Sequence, residues 1–244
     1  MGIAFRSVGT KGAGVQQDDR FPWRIYDAMG EGSKAFNIRA GLAFDDTTNR
    51  PVEFVNTLVG TSPITAGLVS GYPLLITTGG TEYNGVNMQL AGESAKLAAG
   101  METFLRCKLL PSEEKTVDLL FGLCELKTDL MKVSVAHGVL ATGVAGVFFV
   151  KVSHASEVTI YLKSYVAGAE TSSVAVGTLS KTAAVDLALW WDGVRVHAYV
   201  DDVKRAEISA SLPTGELTPS INFRTGATAA FTLSIAELAF ATFE

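Results

Sequence analysis

Apolar and polar residues alternate with a period of two through residues 182–208, TAAVDLALWWDGVRVHAYVDDVKRAEI. Val185, Leu187 and Leu189 interleave with Asp186, Ala188 and Trp190. After Asp192-Gly193, Val194, Val196, Ala198 and Val200 interleave with Arg195, His197 and Tyr199. That period puts each set on one face of a strand. Asp192-Gly193 between two β-prone runs is a two-residue hairpin signal. Asp201-Asp202 predicts a second tight turn, with 203–208 returning as a third strand. The stretch reads as an antiparallel meander around which the rest of the chain is expected to wrap.

Further strand-like runs lie at 52–59, 74–78, 86–90, 102–109, 117–126, 146–152, 158–165, 173–179, 220–224 and 230–240. SGYP, TGGTEYNG, PSEE, LPTGELTP and RTGA punctuate them. Strands this short, with turn signals about every 8–12 residues, predict an all-β sandwich or barrel. Helical periodicity is scarce: 94–100 has room for about one turn, and 129–137 is ambiguous. In the last run Leu233, Ile235 and Leu238 alternate until Ala236-Glu237, where a bulge is expected. That strand is expected to pair inside a sheet, so that losing it unfolds the domain.

Residues 1–26 break the pattern. Gly2, Gly9, Gly12 and Gly14 interrupt any periodicity, and the stretch reads as an extended arm ending in RFPWRIY. Phe21, Trp23 and Tyr26 are too apolar to sit freely in water. They anchor the arm to the chain's own body, to a neighbouring copy or to another protein, and the aromatic-plus-arginine content suits an interface hot spot. Short strands are possible at 36–38 and 42–44.

Composition sharpens this picture. The 244 residues are 48% hydrophobic and 18% charged, with a mean hydropathy of +0.26. A large core, an oligomer or a large partner would account for so apolar a chain. No apolar run reaches the roughly 18 residues of a membrane span, and the N-terminus lacks a secretory core, so synthesis in the cytosol without membrane insertion is expected. A net charge of −5 argues against nucleic acid as a partner. Residues 1–24 run the other way, with Arg6, Lys11, Arg20 and Arg24 against Asp18 and Asp19. A slightly basic arm on an acidic body suits docking on an acidic protein surface. Cys107 and Cys124 sit in apolar runs that look like neighbouring strands; buried free thiols are expected, with a disulfide across the ladder as the alternative.

Little in the sequence points to catalysis. The three histidines, His137, His154 and His197, have no local nucleophile motif, and His197 reads as an exposed strand residue. Jelly-roll glycosidases need carboxylates sharing one strand face, whereas Asp18-Asp19, Asp45-Asp46, Glu113-Glu114 and Asp201-Asp202 are adjacent pairs in turns. There is no C-x-x-C, H-E-x-x-H or EF-hand loop; Asp45, Asp46 and Glu53 could ligate calcium through oxygen. TTGGTEYNG has the glycines of a phosphate loop but leads into a strand. The expectation is therefore a protein that is not an enzyme and has no cofactor or metal. Aromatic residues could stack on sugars, with Trp190, Trp191 and Tyr199 as candidates. Consecutive tryptophans face opposite ways, so one is expected in the core and one outside.

Three segments carry a resemblance: YNGVNMQLAGESAKLAAGMETFLRCKLLPSEEKTVDLLFGLCEL, WWDGVRVHAYVDD and LTPSINFRTGATAAFTLSIAELAF. In this order, across 74–240, the chain resembles tailed-bacteriophage virion proteins built on a concanavalin-A-like (laminin-G-like) jelly roll. Asp202 stands where that pattern usually has Gly, and Asp tolerates the conformation better than most residues. The resemblance implies an antiparallel β-sandwich body over 27–244 with an N-terminal arm. It also implies a capsid decoration (cement) protein on the outer head surface that binds the major capsid protein and copies of itself, a trimer favoured. Arg20, Phe21, Trp23, Arg24 and Tyr26 are the expected capsid-docking residues. The alternative is a lectin-like carbohydrate-binding module on the virion surface, used for adhesion to the host.

Overall fold

A computed structural model describes residues 34–37, 54–69, 72–92, 94–132 and 136–243. The expected arm, 1–26, and the possible strand at 42–44 lie outside them, as do Asp45, Asp46 and Glu53.

Sixteen strands and no helix make up the described residues. In chain order these are β1 (Lys34–Asn37), β2 (Phe54–Val59), β3 (Ile64–Val69), β4 (Tyr72–Thr77), β5 (Gly85–Leu90), β6 (Ala95–Lys96), β7 (Glu102–Pro111) and β8 (Val117–Cys124). They continue with β9 (Gly146–Lys151), β10 (Thr159–Val166), β11 (Ala169–Thr178), β12 (Val185–Trp191), β13 (Val196–Val200), β14 (Val203–Ile208), β15 (Glu216–Thr225) and β16 (Thr232–Phe243). One sheet runs β14-β13-β12-β7-β16-β4-β3, with β1 also paired to β16. The other runs β11-β10-β9-β8-β15-β5-β2, with β6 paired to β15. All pairings are antiparallel, and the inner faces of the two sheets share one apolar core that includes Leu105, Leu187, Phe121, Phe149, Phe223 and Phe240.

The predicted meander is β12-β13-β14. Its first turn is longer than the two residues expected. Trp191 pairs with Val196, and Asp192 Oδ1 accepts the backbone N–H of Val194 (2.8 Å) and of Arg195 (2.7 Å). The Asp side chain thereby holds a four-residue loop closed. The second turn has two residues, because Val200 pairs with Val203. Asp201 and Asp202 both take positive φ, 52° and 63°, the conformation a primed hairpin turn requires. Asp202 thus takes a left-handed conformation that favours glycine and that aspartate tolerates better than most residues.

β16 sits inside its sheet between β7 on one side and β4 and β1 on the other, with the predicted bulge between Ile235 and Glu237. β3 was not legible in advance: ITAGLV offers weak alternation, and its pairing with β4 slips between Ala66 and Val69. Residues 94–100 form β6 and a loop, not a helical turn. The cysteines are buried free thiols. They do not face each other across a ladder, since β7 and β8 belong to different sheets.

Every residue of β8 and β9 is buried. One face of these strands meets the core. The other meets part of the 125–145 connection, which folds back over the sheet. Leu130, Met131 and Val144 pack there on Leu120, Phe148 and Val150 as a second apolar cluster.

Candidate functional site

The outer face of the β5-β15-β8-β9 sheet divides into an apolar half under the connection and a polar half that holds the connection down. Asn87 and Gln89 on β5 lie opposite Asn222 and Ser220 on β15. Asn87 Nδ2 donates to the Lys127 carbonyl (3.0 Å) and Gln89 Nε2 to the Glu125 carbonyl (2.9 Å), while Gln89 Oε1 accepts Lys127 N–H (2.9 Å). Arg224 donates to Asp129. Burial lowers the Arg224 pKa, and the Asp129 charge pushes back. Most of these buried groups are partnered, as an interior demands, although Asn222 Oδ1 and Arg224 Nε and Nη1 find no donor or acceptor among the described residues; this half of the face serves as an anchor.

At the end of the same sheet the loops bring together a different set. Asp118, in β8, is 2% exposed. Its Oδ1 accepts Ser153 N–H (2.7 Å) and its Oδ2 lies 2.8 Å from His137 Nδ1. His137 Nε2 faces Glu82 Oε1 at 3.1 Å. The imidazole is therefore held between a buried carboxylate and an exposed one. Tyr83 stacks on it, with ring centroids 4.8 Å apart. Tyr83 has φ +68°, the left-handed region; bulky side chains rarely adopt it, and such strain concentrates where a side chain must be aimed. Gly226 closes the set, because a Cβ there would strike the Ser153 hydroxyl. Lys151 lies behind, donating to the carbonyls of Lys115 and Val117. Burial lowers its pKa to about 8, against the charge of Asp118.

Two things follow chemically. Tyr83 and His137 form a half-buried aromatic pair beside one exposed carboxylate acceptor, Glu82, which suits the apolar face and hydroxyl rim of a sugar. A histidine oriented by a buried carboxylate and open toward Glu82 can also hold or pass a proton. Sequence reasoning missed this set because Glu82, Asp118, His137 and Ser153 come from four separate segments. The legible signal was Asp118 itself, a lone charge inside the apolar run VDLLFGLC.

The candidates drawn from the sequence lie elsewhere. Trp191 points into the core, 6% exposed, and its Nε1 donates to the Ala98 carbonyl (3.0 Å). Trp190 is on the outer face as expected, between Phe104 and His197 with centroids at 5.9 and 4.9 Å. Tyr199 is 2% exposed, so neither it nor Trp191 offers a free ring face. His197 is not the exposed residue expected: it is 3% exposed, and its Nε2 lies 2.9 Å from Asp192 Oδ2. Arg20, Phe21, Trp23, Arg24 and Tyr26 lie outside the described residues.

No protein-family model and no curated protein matches the sequence. Solved structures do match. The carbohydrate recognition domain of Emp46p, in its metal-free form, aligns with a TM-score of 0.58 at 8% identity, over 84% of this chain and 95% of that one. The Bacillus licheniformis β-glucanase aligns with a TM-score of 0.56 at 10% identity, over 84% and 97%. A native glycosidic hydrolase gives 0.54 at 9%, over 84% and 94%. The fold is a concanavalin-A-like jelly roll. This corrects the expectation that the protein is not an enzyme. A β-glucanase and a glycosidic hydrolase share the sandwich, so the fold and the missing carboxylate motif do not exclude catalysis.

Proposed function

We propose that the protein is a lectin-like, carbohydrate-binding module on the surface of a tailed-phage virion. The observation that carries the binding reading is the Tyr83–His137 ring pair set between Glu82 and Asp118 at one end of the sandwich. Stacking on the rings and hydroxyl bonds to the exposed Glu82 carboxylate are the chemistry by which a protein holds a sugar, with Asp118 orienting His137 from behind. A carbohydrate recognition domain among the structural neighbours supports this reading. The virion assignment rests on the WWDGVRVHAYVDD and LTPSINFRTGA pattern.

Glycan-array screening of the full chain, followed by titration of the best ligand, tests the proposal. Tyr83→Ala and Glu82→Gln should each weaken binding about tenfold or more, roughly 1.4 kcal/mol, while Trp190→Ala leaves it unchanged. Loss with Trp190→Ala alone would move the site to the opposite sheet. No binding to any glycan would sink the reading.

A second reading, favoured by the same phage pattern together with the basic, aromatic N-terminal segment, is capsid decoration. Here Arg20, Phe21, Trp23, Arg24 and Tyr26 would dock on the major capsid protein, and copies of the chain would associate. Undecorated heads should then bind the full chain and not one lacking residues 1–26. Equal binding of both, or of neither, removes this reading.

A further inference from the structure

We infer that the free edge of β11 is a self-association surface. Two copies of the chain join there, strand against antiparallel strand about a two-fold axis at Val174, and the sheet runs on from one copy into the other. Such pairing goes beyond both functional readings and depends on neither.

One row of residues leads to that edge. Met88, Ile221, Phe121, Phe149, Leu162 and Val174 pair in turn across β5, β15, β8, β9, β10 and β11. The first five are at most 1% exposed and belong to the core between the sheets, whereas Val174 is 38% exposed. A core row thus ends on an apolar side chain that meets water. β11 is the last strand of its sheet among the described residues, so alternate backbone N–H and C=O groups along it point away from β10. Ser173, Val174 and Ala175 are exposed in succession, which opens both faces of the strand as well as its edge.

Soluble proteins blunt such edges with charge or proline, or keep them short. β14, the neighbouring edge in the other sheet, is blunted: Lys204, Arg205 and Glu207 fall within its six residues. β11 is not. Its ten residues hold no proline and one charge, Glu170, which is tied to Lys163 Nζ at 2.6 Å and to the Tyr165 hydroxyl at 2.8 Å. Bulges in its pairing with β10 flank residues 172–175 and leave those four in regular register.

A second copy is the partner that fits. It brings the same strand already held extended by its own β10, so pairing orders little new chain. A two-fold axis covers both edges at once and closes the assembly at two copies. With the axis at Val174, the two Val174 side chains meet and carry the core row across the junction. Glu170 then stands opposite Thr178 of the other copy, so no like charges face each other.

Sedimentation equilibrium of the full chain across the micromolar range should show a monomer–dimer equilibrium. Val174→Lys sets like charges against each other at the axis and should weaken the association about tenfold or more. Cysteine pairing reads the register separately, since Cys107 and Cys124 are buried. Mild oxidation should rapidly join two Val174→Cys chains. It should also join Glu170→Cys to Thr178→Cys in a mixture but not Thr178→Cys to itself, because those two positions lie about 26 Å apart. If Val174→Lys fails to fold, the cysteine pattern decides alone. A chain that stays monomeric, a trimer, or a dimer that Val174→Lys leaves unweakened overturns the assignment. So does a dimer in which Val174→Cys does not crosslink. Glycan binding and head binding play no part in either readout, so failure here is separable from failure of those readings.

Discussion

Replacing Arg106 by Met should destabilise the fold strongly, and more at alkaline than at mildly acidic pH. Arg106 Nε donates to Asp186 Oδ1 at 2.7 Å, its second nitrogen also reaches Asp186, and Asp202 lies 3.8 Å away. Arg106 and Asp186 are each 8% exposed. Burial raises the Asp186 pKa from its ordinary 3.8 to about 6, with Arg106 opposing and the Asp202 and Glu237 charges adding. The folded state thus holds the Asp186 proton more tightly than the unfolded chain does. This group's contribution to stability accordingly falls as pH rises from about 4 to about 6 and stays low above that. Met keeps the aliphatic packing of the stem but strands a buried carboxylate, which costs about 3–5 kcal/mol. In a chain of this size that is a fall of roughly 6–20 °C in Tm.

Without Arg106 the Asp186 pKa climbs further. Near pH 6 the group is then neutral and the cost of Arg106→Met shrinks, by about 1.4 kcal/mol for each unit separating the two pKa values. Urea denaturation of the wild type, Arg106→Met and Arg106→Met/Asp186→Leu at about pH 6 and about pH 8.5 measures this linkage. The double variant should recover most of the loss, because an apolar pair of similar volume replaces the ions. Equal penalties at both pH values, or a double variant as unstable as the single one, would refute the reasoning.

Two further predictions concern the core. Gly122 on β8 faces β9, and a Cβ there would run into the Phe148 backbone and the Val147 carbonyl; Gly122→Ala should cost about 1–3 kcal/mol, read as a lower Tm, and an unchanged Tm would mean the strands separate cheaply. Cys107 and Cys124 are fully buried, and burial pushes both thiols up. A thiol reagent should leave both untouched in the native protein and titrate both in denaturant, whereas rapid native labelling would reveal local opening.

What was legible in the sequence was local. The meander followed from alternation and turn chemistry over a few residues. Asp201-Asp202 was a sound turn because aspartate tolerates positive φ, and the opposed faces of Trp190 and Trp191 followed from the pleat. The bulge at Ala236-Glu237 was visible because a missed beat in a period of two has one cheap explanation. Charges inside apolar runs, such as Asp118, Lys151, Asp186 and Arg224, also marked positions that needed partners, although nothing local said which.

The partners were set by the tertiary structure. β7 lies between β12 and β16, joining residues more than 75 and more than 120 positions apart; strand order of this kind is chosen by which apolar faces can be buried together, a property no single window contains. The same holds for the rim, where Asp118 meets His137 because the 125–145 connection folds back over its sheet, and for Trp191, lost as a sugar platform once its ring entered the core. Alternation fixes which side a residue faces, while the assembled layers fix whether that side meets water, the core or another segment of the chain.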